Sequence, residues 1–229
     1  MTAFVIQHVH SFHELVTTPL TRGTNALCWE RSLRGDFGEV VEQLGVGEGI
    51  TALDDECLGE LAVSAHGRAA IDVLLEDQRL LREHGLAPSL ECVLGYTRDG
   101  GGAVVRADVY SFHVDRAPVA VDTYLCTYHG PASEGLRNDE ARRHIDVPAT
   151  RAALLDHYGG PDDDAFEDYL IEHFYDLHYA PLPHARPFSF GRGNLWRIAV
   201  DYPGSPVPPC IHRAPETAPD DPPRLLLIS

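Results

Sequence analysis

Near Leu90 the spacing of the apolar residues changes from a long helical stretch to alternation, and that change limits the folds open to this chain. Before it the period is helical: Leu58, Leu61, Ala65, Ala69, Val73, Leu80 and Leu81 recur at roughly helical intervals between about Asp54 and His84, and Gly85 follows as a helix C′ glycine would. A shorter helix is expected near Asp36–Leu44 and a short strand around Asn25–Arg31. After Leu90 the period is two. Leu90–Tyr96, Ala103–His113 and Val119–Tyr128 read as strands, separated by a turn at Asp99–Gly102 and by Ala117-Pro118. Two helices interrupt them, Pro148–Tyr158 and Asp163–His178, the second opening on Asp162, Asp163 and Asp164 where the helix dipole favours negative charge. Strand patterns resume at Gly193–Val200, around Cys210–His212 and at Arg224–Ile228. Because strands and helices do not alternate, a doubly wound α/β fold is disfavoured. The expectation is an α+β chain, mainly β: one domain over residues 1–229, with a helical support region at 1–88 and a small barrel or double-stranded β-helix at 89–229 carrying a helical insertion at about 137–180.

Charge narrows the function classes. The chain has 35 Asp and Glu against 18 basic residues, every one of them arginine, for a formal charge of −17. Without lysine, Schiff-base chemistry and the phosphate-loop lysine are excluded. The acidic surplus disfavours nucleic acid and anionic membrane surfaces, because both are bound through clustered cations. No apolar run is long enough to span a bilayer and no signal peptide is visible, so a cytoplasmic protein is expected. Cys28, Cys57, Cys92, Cys126 and Cys210 are scattered and lack any CxxC pair, which predicts reduced, mostly packed thiols.

The chemistry concentrates in Phe112-His113-Val114-Asp115. On a strand, residues two apart share a face, so His113 and Asp115 can reach one metal ion. His212 is placed to complete a 2-His-1-carboxylate triad of the kind that binds Fe(II) and leaves positions open for a cosubstrate and O2. Twelve residues further, Arg224 could grip a carboxylate of 2-oxoglutarate in bidentate fashion. A second HxD, His144-Ile145-Asp146, precedes Pro148 and reads as a loop or helix end. His8, His10 and His13 have nothing downstream to complete a metal site.

Phe112-His113-Val114-Asp115, then Leu125-Cys126-Thr127-Tyr128-His129-Gly130-Pro131, then His212-Arg213-Ala214-Pro215 followed by Arg224-Leu225-Leu226-Leu227, resemble an uncharacterised bacterial family marked by FHxD, LCTYxGPGTEW and HRxP…RLLL motifs. Asn25-Ala26-Leu27-Cys28-Trp29-Glu30-Arg31 resembles its N-terminal tryptophan-arginine motif. That family in turn is similar to the Fe(II)/2-oxoglutarate-dependent dioxygenase superfamily. The resemblance implies a jelly-roll, cupin-like core, with His113, Asp115 and His212 as catalytic iron ligands and Arg224 as the 2-oxoglutarate partner. It implies an oxygenase that converts 2-oxoglutarate to succinate while hydroxylating, desaturating or cyclising a small molecule or a peptide residue, as a monomer or homodimer. Asp115 stands where a halogenase of that superfamily has a small residue, so halogenation is not expected. Tyr124 and Tyr128 are candidates for binding 2-oxoglutarate, and Tyr110 and Arg213 for meeting substrate. Where the family has GPGTEW this chain has Gly130-Pro131-Ala132-Ser133-Glu134-Gly135, which removes an aromatic from the region of the site. The rival readings are a cupin-type isomerase or oxidase that keeps the triad without 2-oxoglutarate, and a non-catalytic ligand-binding module.

Overall fold

A computed structural model describes residues 6–21, 23–98, 103–218 and 220–229. Its strands are β1 (Ile6–Val9), β2 (Ala26–Trp29), β3 (Gly49–Leu53), β4 (Ser89–Leu94), β5 (Asp122–His129), β6 (Glu134–Leu136), β7 (Ala141–Arg143), β8 (Tyr179–Pro181), β9 (Phe188–Ser189), β10 (Leu195–Ala199), β11 (Ile211–Arg213) and β12 (Arg224–Ile228). The helices are α1 (Phe12–Thr17), α2 (Phe37–Leu44), α3 (Asp55–Glu60), α4 (Ala65–Glu83), α5 (Pro148–Tyr158) and α6 (Asp164–Glu172). Seven strands form one sheet in the order β1-β2-β10-β5-β12-β4-β3, and β11-β6-β9 form a second, smaller one. Within the large sheet only β1 and β2 run parallel; the other neighbours are antiparallel.

Alternation along the central strands decides which face each residue serves. On β5, Tyr124, Cys126 and Tyr128 join Leu225 and Leu227 of β12 in the main core, against Ala70, Ile71, Leu74 and Leu81 of α4. Leu125 points the other way, into a second cluster with Trp196, Ile198, Phe190 and Cys210 under the small sheet. The molecule is therefore a mixed structure of sheet and helix, with α1–α4 on one face of the large sheet and a small sheet on the other, while α5 and α6 pack in a separate cluster with Val105 and Ile145. Among the described residues the strands do not close into a barrel.

The N-terminal helices are tied down by polar contacts as well as by packing. Arg31, just after β2, makes a bidentate pair with Asp77 of α4 at 2.6 and 2.8 Å, and the Tyr128 hydroxyl donates to the same carboxylate at 2.7 Å. The side chains of the pair are 8% and 3% exposed, so this network joins the helical support to the sheet inside the core.

Several expectations are corrected. The stretch from Asp54 to His84 is two helices, because the Ser64 hydroxyl accepts from the N–H groups of His66 and Gly67 and starts a new helix. Ala103–His113 is not a strand over its described residues: Asp108 takes the Arg106 guanidinium and the Tyr110 N–H, and its carbonyl accepts from Ser111, which turns the chain. The expected turn at Asp99–Gly102 lies outside the described residues. Asp163–His178 is helical only to Glu172; Phe174 then adopts a left-handed conformation and Tyr175–Leu177 forms a 3-10 turn. His144–Asp146 is a 3-10 turn whose Asp146 pairs with Arg143, so the second HxD is local structure.

Candidate metal centre

Strand pairing brings His113 and His212 together across about a hundred residues of sequence. They exchange both backbone hydrogen bonds at 2.9 Å. An antiparallel pair bonded in this way sends both side chains to the same face, and their ring centroids lie 4.6 Å apart. Asp115 shares that face, and ligand atoms of His113, Asp115 and His212 all lie within 4.8 Å of one another.

The tautomers are set by the backbone. Nδ1 of His113 is 2.8 Å from the Ser111 carbonyl, and Nδ1 of His212 is 3.2 Å from that of Cys210. A carbonyl only accepts, so in the neutral rings the proton sits on Nδ1 and the Nε2 lone pairs are left for a metal ion. Burial first, and then the neighbouring His212, pushes the His113 imidazole down to about 4, so it is neutral near pH 7. Burial pushes the Asp115 carboxyl up, but His212, the Thr123 hydroxyl and His113 together hold it below its ordinary range. The Thr123 hydroxyl donates to Asp115 Oδ2 at 2.5 Å, while Oδ1 stays 3.8 Å from His212 Nε2, too far for a hydrogen bond. Two imidazole nitrogens and one carboxylate oxygen, each oriented by a backbone or hydroxyl partner, make a donor set that suits a divalent first-row metal such as Fe(II).

His113 and Asp115 open onto a cavity of about 600 Å³ that also touches Thr123, Arg116, Phe174, Leu177, His178 and Ile228. Arg224 does not line it. Arg224 is 2% exposed and lies on a second cavity of about 440 Å³, with Tyr96 and Tyr110. Its guanidinium donates to the Pro131 carbonyl, the Tyr96 hydroxyl and the Ser133 hydroxyl, all neutral acceptors. No carboxylate pairs with it among the described residues.

The other expected site residues divide. Tyr124 and Tyr128 face the main core, on the opposite side of β5 from Thr123, because strand alternation separates odd from even positions; they do not flank the triad. Tyr110 packs edge to face with Tyr96 and accepts its backbone N–H at 3.1 Å, beside Arg224 rather than beside the triad. Arg213 pairs with Glu134 and lies over the Phe112 ring at 4.4 Å, so it is spoken for. Thr123 goes unnoticed in the sequence, and His178 is read there only with His173, five residues apart on an expected helix and so on different faces, whereas the helix ends at Glu172 and His178 lies beyond it. The alternation of β5 about Tyr124 could have signalled Thr123; nothing local signals His178, which arrives by its pairing with His113.

Gly135, where the resembled family has tryptophan, faces His212 across β6 and β11, and a side chain there would overlap the Phe188 ring and meet Phe190 at 2.7 Å. Phe188 and Phe190 thus occupy the space beside Gly135. A second group, His8 with Cys28 and Glu30, forms because β1 pairs His8 with Cys28. It is a poor metal site: burial, then Glu30, pushes the Cys28 thiol up to about 12, and His8 and Glu30 are mostly solvent-exposed.

No family model matches the chain, and neither a curated protein nor a solved structure does.

Proposed function

We propose that this chain is a non-haem Fe(II) oxygenase of the 2-oxoglutarate-dependent type, built on a jelly-roll-like core. The observation that carries the reading is the pairing of His113 with His212: the Nδ1 protons of both face carbonyls, and their free Nε2 lone pairs stand beside the Asp115 carboxylate. His113, Asp115 and His212 would hold the metal. When bound, Fe(II) with 2-oxoglutarate and O2 supplies the oxidising equivalents for a substrate C–H bond, and the cosubstrate leaves as succinate and CO2. Thr123 occupies one carboxylate oxygen of Asp115 and so orients the other. The buried Arg224, lacking an acidic partner, is suited to neutralise a carboxylate, and burial lowers its own proton affinity until such a partner arrives.

One observation favours a second reading, a metal-dependent enzyme without 2-oxoglutarate. Arg224 lines a different cavity from His113 and Asp115. Anaerobic titration with Fe(II) and then 2-oxoglutarate decides between them. The oxygenase reading expects stoichiometric Fe(II) binding that His113→Ala abolishes, followed by a weak visible charge-transfer band on adding 2-oxoglutarate. Arg224→Ala should weaken 2-oxoglutarate binding at least about tenfold while leaving Fe(II) binding intact. If Fe(II) binds but 2-oxoglutarate gives no band, or one indifferent to Arg224, the second reading stands. If Fe(II) binding is absent or survives His113→Ala, both fall.

A further inference from the structure

The segment between α6 and β8 brings two side chains to the triad's cavity for which the centre as described has no use. His178 pairs its backbone with His113 and sets its ring 5.6 Å from the His113 ring. The residue is 4% exposed, and its Nδ1 is buried with no hydrogen-bond partner. Leaving a bare lone pair in the protein interior costs less than leaving an N–H there, which puts the ring proton on Nε2, the nitrogen that can serve the cavity. Phe174 is the other residue. It is the one described non-glycine residue at positive φ, at 59°, and the residue is 60% exposed at the cavity wall. A bulky residue in that conformation is strained, and strain of this kind persists at sites that use it.

Arg116 and Asp108, two of the charged groups that line the cavity, already have partners of opposite charge. Arg116 is paired with Asp176 and Asp201, Asp108 with Arg106, and Asp115 with Thr123 and the proposed metal. Besides Phe174, the wall exposes Ile228 and Val109. An ion entering here finds Arg116 and Asp108 already paired, whereas an uncharged apolar group meets matching surface.

Resting on the metal-centre reading for the reaction but not for binding, we propose that Phe174 and His178 form the substrate-recognition wall of this centre. The substrate class is an uncharged organic group with an apolar body and one hydrogen-bond acceptor: the apolar body lies on Phe174, and the acceptor takes the Nε2 proton of His178.

Three probes with one apolar body separate the possibilities: phenylacetamide, phenylacetate and phenethylammonium. Each is titrated by NMR into the full chain, metal-free and loaded with redox-inert Zn(II). Phenylacetamide should bind saturably in both forms, phenylacetate at least about tenfold more weakly than the amide in the metal-free protein, where no metal can ligate it, and phenethylammonium at least about tenfold more weakly in the Zn(II)-loaded protein, where the metal occupies Asp115. Phe174→Gly, which removes the ring and relieves the left-handed backbone, should unfold at no lower temperature than wild type yet bind the amide at least about fivefold more weakly. His178→Phe should weaken it by about as much, and His178→Gln, which restores a donor, should recover part of the loss. The proposal is overturned if the amide shows no saturable binding, if either ion binds as tightly as the amide in the form stated for it, or if amide affinity is unchanged in both Phe174→Gly and His178→Phe. Failure of wild type to bind Zn(II) would instead count against the metal centre, because the amide is scored independently in metal-free protein.

Discussion

At the residue scale the centre depends on partners that orient its ligands. Thr123 is the clearest, since its hydroxyl occupies Asp115 Oδ2. Thr123→Val keeps the shape of the side chain and removes that bond; Co(II) or Fe(II) affinity, measured by anaerobic titration, should fall about 10- to 100-fold, and Thr123→Ser should restore most of it. Unchanged affinity in Thr123→Val would show that Asp115 orients itself. The buried histidines also set an acid limit. The folded-state values of about 4 for His113 and about 3 for His178 lie below the ordinary 6.5, so the unfolded chain takes up protons first as the pH falls. The stability these neutral rings confer is therefore full above about 6.5 and is lost progressively as the pH drops toward 4 and 3. Urea midpoints of the metal-free protein should decline across that window, and His113→Asn combined with His178→Asn should flatten the profile. A wild-type midpoint that does not move between pH 7 and 4 contradicts this.

Between elements, the strongest polar tie is that of Arg31, Asp77 and Tyr128, which fastens α4 and the end of β2 to β5. Asp77→Asn leaves a buried guanidinium without its counter-charge and should cost about 3–5 kcal/mol in urea unfolding. The exposed pairs of Arg79 with Glu76 and Glu83 on the same helix are a useful contrast: Arg79→Ala should cost less than about 1 kcal/mol. Similar losses in the two variants would mean that the buried network is not what joins the helices to the sheet. Element identity was legible wherever the local pattern ran uninterrupted. α2 starts one residue after the N-cap Asp36, α5 matches its expected bounds, and β12 follows the run from Arg224 to Ile228. The pattern misled where a side chain competed with the backbone, as Ser64 does by capping a new helix and Asp108 by folding a turn into an apparently alternating strand.

Over the whole molecule, the described cysteines are free and all but Cys57 are buried. Burial pushes the Cys28 and Cys126 thiols up to about 12 and Cys92 up to about 11, and Cys210 rises as well. A thiol reagent at pH 8 should therefore modify Cys57 alone in the native protein and all 5 cysteines after denaturation. Fast native labelling of Cys126 or Cys210, read by peptide mass mapping, would show that the core opens. No described helix is long and apolar enough to cross a membrane.

The sequence by itself determined the inventory: where the helical period gives way to the strand period, that arginine is the only permanent side-chain cation, and that His113 and Asp115 share a face two residues apart. These are local properties, set by backbone geometry within a few residues. That His178 opposes His113 beside the expected His212, that Tyr124 and Tyr128 face the core while Thr123 faces the triad, and where Arg224 finds its acceptors were decided by the tertiary structure. His212 and His178 lie far from His113 in the chain and reach it through hydrogen-bonded pairing. Such pairing depends on the packing of the whole sheet, and a one-residue change of register would send every side chain of the strand to the other face.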